Sequence, residues 1–288
     1  MISFIIAFII SAVCGALYGQ LENATWGVYV TGVITYIASW IILNRLFQKE
    51  FTAKVNSVQT HILASQEKVQ RQVKQFQAKP SGSPVAFQKG LEKKMSKAVE
   101  EALQLLNGVE KFYKWNFLLK KQVDTMRFQL NFQIRKFEEA DKYIDGAIAM
   151  DPMVISMKMS RYYLQNPIKD DEKPNLKKWK VAQVFYKGLW KVRNQAQKAF
   201  LNNLYGWMLL QQGLAEDAQK YLAQVVDKAS DEQLLKNLQA LQNGNPKQYN
   251  MAAYGDQWWA LGLQDPPKQK QKMQRAPQGG RGKGGRPF

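Results

Sequence analysis

The stretch FEEADKYIDGAIAMDP, residues 137–152, carries the clearest structural signal in this chain of 288 residues. Ala140 is followed four residues later by the bulky Ile144 and, after three more, by the small Ala147. This spacing places the three side chains on one face of a helix. A small residue such as Ala140 lets a second helix approach closely, and Pro152 marks the end of the unit. The stretch therefore predicts the second helix of a helical hairpin.

The same order of small, bulky and apolar residues returns in two later stretches. They are Ala182, Tyr186 and Leu189, and Ala218, Leu222 and Val225. With the closing proline, the pattern resembles the tetratricopeptide repeat, and the resemblance implies an α-solenoid of stacked helical hairpins. The usual residues of the family's first helix are replaced by Asp124, Arg127, Phe128 and Asn131. A generic helical bundle is the alternative architecture.

Helical signals dominate beyond Phe87, so the predicted fold class is all-α. Composition divides the chain into a transmembrane hairpin, an amphipathic stalk, a flexible linker, the repeat domain and a disordered basic tail. These segments are residues 1–47, 48–78, 79–86, 87–264 and 265–288. Trp258 and its apolar neighbours are expected to seal the end of the repeat domain.

Two apolar stretches, Ile2–Tyr18 and Trp26–Leu46, are separated by a short polar turn that contains Glu22. A helix needs about 20 mostly apolar residues to cross a bilayer, with about 17 as the lower limit. The first basic residues, Arg45 and Lys49, follow the second stretch, which predicts that both termini are cytoplasmic. A cleaved signal peptide is the alternative for the first stretch, but the positive region that begins such peptides is absent. We expect an integral membrane protein with two spans.

The stalk carries apolar residues at heptad-like intervals, and its other positions are rich in Gln, Lys and Glu. The apolar positions are Phe51, Val55, Val58, Ile62, Val69 and Phe76. A coiled coil, and with it a homodimer, is one interpretation of this pattern. An amphipathic helix lying on the membrane surface is the other.

A partner-binding face is expected on the concave side of the repeat domain, where solenoids usually bind other proteins. Its candidate residues are aromatic or basic: Tyr162, Tyr163, Lys187, Trp190, Lys191 and Arg193. Aromatic residues interleaved with Lys can stack on nucleic-acid bases, but aromatic residues more often fill the spaces between packed helices. We expect packing for the two aromatic-rich stretches, Phe112–Phe117 and Phe200–Trp207.

Basic residues outnumber acidic ones by 41 to 23, and no acidic residue follows Asp265. The tail cations that are candidates for contact with an anionic surface are Lys268, Lys270, Lys272, Arg275, Arg281, Lys283 and Arg286. Such a composition buries too little apolar surface to fold by itself. Its expected ligands are nucleic acid or anionic lipid.

The chain contains one cysteine, Cys14, and one histidine, His61. A disulfide within the chain and a zinc site made of Cys and His are therefore excluded. Because no catalytic or cofactor motif is found, we expect neither an enzyme nor a cofactor-binding protein. The predicted function is a membrane-anchored scaffold that recruits a protein partner. The alternative is a membrane tether for nucleic acid or ribosomes.

Overall fold

The computed structural model describes residues 2–21, 25–79, 83–165, 176–229 and 231–266. Across these ranges the regular structure is helical and contains no strand, which confirms the all-α class. The α-helices of these ranges are α1 (Ile2–Leu21), α2 (Thr25–Ala78), α3 (Pro84–Asn107), α4 (Phe117–Gln133), α5 (Phe137–Asp141), α6 (Pro152–Gln165), α7 (Lys180–Leu189), α8 (Gln195–Gln211), α9 (Ala215–Ala229), α10 (Glu232–Gln242) and α11 (Asp256–Trp259).

Helices α1 and α2 form an antiparallel hairpin. Ser11 Oγ donates a hydrogen bond to the Gly32 carbonyl oxygen at 2.6 Å, and Gly15 lies against Val28. Small residues at these positions let the two backbones approach closely. Both helices are long and apolar enough to cross a membrane, and side chains such as Phe8, 67% exposed, point away from the protein. Such an outward apolar surface fits contact with lipid better than contact with water.

Helix α2 continues without interruption from the apolar stretch into the stalk. At 1.5 Å per residue, its 54 residues extend about 80 Å. Helix α3 runs antiparallel along the stalk. Near the linker between the two helices, the rings of Phe76 and Phe87 stack with 4.0 Å between their centroids. Further along, His61 Nε2 lies 3.1 Å from a Glu101 carboxylate oxygen. The stalk is therefore one half of a second helical hairpin.

The apolar stripe of the stalk packs inside the chain. Phe51 and Val58 are buried in a core shared with α3 and α4, to which Val99, Leu106 and Val123 belong. A homodimer seam and a stalk lying on the membrane would both use this stripe, which helices of the same chain cover. The homodimer stays a prediction, and the apolar stripe that would form its interface packs against α3 and α4.

The linker between the stalk and α3 is shorter than the sequence indicates. Helix α3 begins at Pro84, whereas the predicted linker runs to residue 86. Proline suits the first turn of a helix, where its missing N–H costs no hydrogen bond. Residues 80–82 of this linker lie outside the described ranges.

The remaining helices pack as consecutive pairs: α4 with α5, α6 with α7, and α8 with α9, followed by α10. The first helices of neighbouring pairs also touch, α4 with α6, α6 with α8, and α8 with α10. Ala140, Ala182 and Ala218 are buried in the second helices of the three pairs. This pairing is what helical hairpins require, while the resemblance to tetratricopeptide repeats and the number of repeats stay predictions.

The stretch that opened the sequence analysis forms less helix than its pattern predicts. Helix α5 ends at Asp141, and the chain continues in turns, where the Tyr143 amide donates to the Ala140 carbonyl oxygen at 3.0 Å and the Ile144 amide to that of Asp141 at 3.3 Å. Gly146 lies directly against the Asp124 carboxylate of α4, closer than a residue with a Cβ atom allows. Ile144 and Ala147 are buried all the same. The spacing therefore identified the buried face but not the length of the helix.

The last described segment closes the end of the helical domain. Trp258 is fully buried, and its ring meets that of Trp207 edge-on at 4.9 Å between centroids. Tyr249 Oη donates to the Asn203 carbonyl oxygen at 2.8 Å, and Asn237 Nδ2 donates to Asn203 Oδ1 at 2.9 Å. Buried polar groups that are all paired in this way fix one arrangement of the segment. Trp258 thus lies where a seal is expected.

The contact between α6 and α7 generates the first testable prediction. A Cβ atom at Gly188 would lie 2.7 Å from Cδ1 of the buried Ile155, closer than van der Waals contact. We expect Gly188→Ala to lower the free energy of unfolding by about 1–3 kcal/mol, the usual effect of overpacking. Urea titration of the detergent-solubilised protein, followed by circular dichroism, measures the change.

The matched control is Gly90→Ala in α3, where a Cβ atom would have nothing within 4 Å. Alanine in an exposed helix interior should raise stability by about 0.5–1 kcal/mol. In an Ile155→Ala background, which lacks all three Ile155 atoms within 3.1 Å of the added Cβ, Gly188→Ala should cost less stability than in the wild-type protein. Equal effects of the two glycine substitutions would contradict the close contact.

Candidate functional site

An open groove runs between the stalk and α4 and encloses about 530 Å³. Its lining comes from the stalk, from α4 and from the segment that leads into α6: Gln48, Phe51, Thr52, Val55, Gln59, Gln122, Thr125, Met126, Gln129, Ile148, Met150, Asp151 and Val154. Phe51 and Val154 are buried at its floor, whereas Met150 is 62% exposed. The groove therefore offers apolar surface to a binding partner.

The groove is almost free of charge although the chain is strongly basic. Among the described residues that line it, Asp151 is the only charged one, and the others at the rim are glutamines and threonines. Asp151 caps the N-terminus of α6, because its Oδ1 accepts hydrogen bonds from the amides of Met153 at 2.8 Å and Val154 at 3.2 Å. A ligand for this groove has to be apolar on one side and uncharged at its edges.

Two lysines hold the irregular segment that forms one wall of the groove. Past the end of α5, the segment lacks the helical partners that would accept and donate its backbone hydrogen bonds. Lys158 Nζ donates to the Ala147 carbonyl oxygen at 2.7 Å, and Lys191 Nζ donates to that of Ala149 at 3.4 Å. Thr125 Oγ1 of α4 accepts the Ile148 amide at 2.8 Å. The wall is thus fixed from α4, from α6 and from the end of α7.

Lys158 is buried, with only 6% of its surface exposed. Burial lowers the pKa of its ammonium group to about 8; the carboxylate of Asp145 opposes the shift and the charge of Lys191 adds to it. A neutral lysine amine can still donate its hydrogen bond to Ala147. The fold therefore needs Lys158 as a hydrogen-bond donor, while the positive charge of its ammonium group lowers stability.

The two predicted tyrosines of the partner-binding face point into different parts of the domain. Tyr162 is buried, and its hydroxyl donates to an Asp145 carboxylate oxygen at 2.5 Å. Tyr163 packs on Trp207 of α8 with 5.8 Å between ring centroids. The two rings therefore do not share an open surface. The sequence could not separate them, because adjacent residues in a helix differ by about 100° in direction.

The other predicted residues lie around the end of α7. Lys187 and Arg193 are exposed, and Trp190 is 75% exposed, the largest open aromatic surface in the described repeat domain. The Lys191 ammonium lies 5.6 Å from the Trp190 ring centroid and also bonds the segment that forms the groove wall. Lys187, Trp190 and Arg193 are thus exposed at the end of α7, and Lys191 bonds the wall of the groove.

Sequence analysis missed a polar cluster inside α4. Asp124, Arg127 and Asn131 are all at least 90% buried, at positions where tetratricopeptide repeats carry apolar, aromatic or small residues. Arg127 Nη2 donates to Asn107 Oδ1 at 2.8 Å and to a Glu110 carboxylate oxygen at 2.6 Å. The polar residues at these three positions, where the resemblance predicts others, were the signal that could have located the cluster. The cluster ties α4 to the end of α3, and nothing in its geometry indicates catalysis.

The start of α1 contacts the helical domain directly. The backbone amide of Ile2 donates to the Lys114 carbonyl oxygen at 3.1 Å, and Ser3 Oγ donates to that of Trp115 at 2.9 Å. The ring of Trp115 stacks on Phe47 of α2 with 3.8 Å between centroids. The beginning of the hairpin and the domain therefore lie at the same end of α1.

The seven predicted tail cations, from Lys268 to Arg286, lie outside the described residues. In the part of the chain that the structure describes, no group of three or more His, Cys, Asp or Glu residues is arranged to hold a metal ion. The chain matches no family model, no curated protein and no solved structure at a significant level. Functional argument therefore depends on the geometry of the groove and of the hairpin.

The buried cation generates a prediction of pH dependence. Since the pKa of Lys158 is about 8 in the folded protein and higher in the unfolded chain, the unfolded chain binds more protons between pH 8 and about 10. Stability should therefore rise with pH through this window, by up to about 2 kcal/mol from this group. The free energy of unfolding, measured by urea titration at several pH values, tests it.

Lys158→Met should abolish this contribution to the pH dependence, because the variant has no amine to deprotonate. Lys187→Met removes an exposed lysine from α7 and serves as the control. The rise between pH 8 and 10 should survive in the control. A Lys158→Met protein with the unchanged pH profile would show that another group is responsible.

Proposed function

We propose that this protein is a membrane-anchored adaptor that binds a protein partner and holds it next to the cytoplasmic face of a membrane. The α1–α2 hairpin is the anchor, and the helical domain with its groove is the binding module. The proposal depends above all on one observation, the open and nearly uncharged groove between the stalk and α4. We further propose that the paired helices are tetratricopeptide-like repeats.

The groove lies close to the place where α2 would leave the bilayer. Its stalk residues begin at Gln48, two residues beyond the apolar stretch that ends at Leu46, and extend to Gln59. At 1.5 Å per residue, this places the whole groove within about 20 Å of the membrane surface. Because α2 is unbroken and its stalk shares a core with α3 and α4, a bound partner keeps a fixed distance from the membrane.

Charge favours a protein partner over nucleic acid at this site. A nucleic-acid groove is lined with Lys and Arg, which neutralise phosphates. Here the described lining carries apolar, amide and hydroxyl groups, and its single charge, on Asp151, is negative. An amphipathic helix with uncharged flanks fits such a lining. The nucleic-acid tether stays a separate prediction that concerns the basic tail.

The membrane topology can be tested by labelling single cysteines in a Cys14→Ser background. A membrane-impermeant maleimide added to intact cells should modify Trp26→Cys, at the far end of the hairpin. It should modify Asn56→Cys, in the stalk, only after the cells are permeabilised. Labelling of Asn56→Cys in intact cells would place the domain on the opposite side.

The groove can be tested with a photocrosslinking amino acid at Gln122, on the exposed rim of α4. Crosslinks to a specific partner should form in native membranes and should persist after nuclease treatment. The substitution Met150→Asp introduces a charge into the apolar lining and should reduce the yield about tenfold or more, since burying an unpaired charge costs several kcal/mol.

The matched control places the same crosslinker at Gln239, an exposed glutamine of α10 outside the groove. It should not capture the same partner. Crosslinks from Gln122 that disappear with nuclease would favour the nucleic-acid tether. Crosslinks that are insensitive to Met150→Asp would show that the groove is not the binding surface.

A further inference from the structure

The two spans of the hairpin differ in length. The apolar stretch Ile2–Tyr18 covers about 25 Å as a helix, and Trp26–Leu46 covers about 31 Å. The hydrocarbon core of a bilayer is about 30 Å thick, and both helices are long enough to cross it, because α1 continues to Leu21.

The two helices differ at the end that faces the helical domain. At the far end the two helices are level, because Gly27 lies against the ring of Tyr18. At the near end, Phe4 is level with Trp40, since their ring centroids are 5.5 Å apart. Helix α1 begins two residues before Phe4, whereas the apolar stretch of α2 continues for six residues beyond Trp40. The apolar stretch of α2 therefore extends about one helical turn past Ile2, the first described residue of α1.

The segment Lys114–Lys121 begins at this end of the hairpin. Its carbonyl groups at Lys114 and Trp115 accept hydrogen bonds from the amide of Ile2 and from Ser3 Oγ. The first amides of a helix have no partner within the helix, and at this depth little water is available to bind them. The ring of Trp115 continues the apolar surface upward by stacking on Phe47.

The outer side of this segment combines apolar and basic groups. Leu118, three residues beyond Trp115, is an apolar side chain that is 46% exposed. Lys114, Lys120 and Lys121 are exposed beside it. Tryptophan and leucine next to lysines that extend toward headgroups are typical of the boundary between hydrocarbon and water.

We propose that the segment Lys114–Lys121 is a membrane-interfacial element that lies beside the start of α1 and binds anionic lipid headgroups through its lysines. The inference rests on the anchoring role in the proposed function, because the segment reaches lipid only if the hairpin is inserted. We infer lipid as the ligand because the segment contacts the start of α1, at the end of the hairpin. Any side chain level with the end of the hairpin lies at the bilayer surface.

Fluorescence quenching in vesicles tests the depth of the segment. Full-length protein with single cysteines labelled with nitrobenzoxadiazole, in a Cys14→Ser background, is reconstituted into phosphatidylcholine vesicles that contain nitroxide-labelled lipid. The label at Leu118→Cys should be quenched most by nitroxides close to the headgroup. The control label at Leu235→Cys, whose leucine in α10 is similarly exposed at 44%, should not be quenched.

A third label separates this inference from the proposed function. Ile37→Cys, in the middle of the apolar stretch of α2, should be quenched by nitroxides deep in the acyl chains. If Ile37→Cys is quenched but Leu118→Cys behaves like Leu235→Cys, the interfacial element is refuted and the anchor stands. If Ile37→Cys is not quenched, the anchor and the interfacial element both fail.

Charge tests the headgroup contact. Adding phosphatidylglycerol to the vesicles should increase the quenching at Leu118→Cys, because lysines near a surface are attracted by anionic lipid. The double substitution Lys120→Glu and Lys121→Glu should abolish this increase. The matched pair Lys228→Glu and Lys247→Glu, on the remote part of the domain, should leave it intact. An increase that survives the first pair would refute binding through these lysines.

Discussion

The architecture depends on one unbroken helix, α2, whose first part is apolar enough to span a membrane and whose second part belongs to a helical core. In hydrocarbon every backbone polar group needs an internal partner, and an unbroken helix supplies it. Helix α2 keeps this continuity beyond its apolar stretch and then contributes Phe51 and Val58 to the core shared with α3 and α4. A flexible joint at the membrane surface would let the domain rotate freely. Because the helix has no such joint, the groove is held at a defined height and orientation.

The same continuity explains why the stalk needs α3. A long helix with an apolar stripe is not stable alone in water, since its stability comes mainly from burying that stripe. Contacts such as that between Phe76 and Phe87 carry the stripe to the far end of the stalk. Helix α3 then brings the chain back to the membrane end, where Trp115 meets Phe47. Helix α2 is thus held to the rest of the helical domain at both ends of its stalk.

Much of this organisation could be predicted from the sequence, and the failures have physical causes. The all-α class and the buried faces of Ala140, Ala182 and Ala218 follow from side-chain spacing, which reports burial directly. Spacing does not report which element covers a stripe, so the contact of the stalk with α3 was missed. Nor does it reveal tertiary hydrogen bonds. The turn after Asp141 depends on donors as distant in sequence as Lys158, and the groove depends on three separate segments.

The polar cluster of α4 joins this helix to the end of α3 and to the segment that follows it. A helix that only stacked against its neighbours would carry apolar residues at Asp124, Arg127 and Asn131, as repeat helices usually do. Burial raises the pKa of the Asp124 carboxyl, so its charge is costly at this position. Arg127 uses its own buried charge to join α4 to Glu110, four residues before Lys114 and the contact with α1. Directional polar bonds fix an orientation that apolar packing alone leaves adjustable. The cluster therefore helps to hold α4, which lines the groove, against the segment that contacts the start of α1.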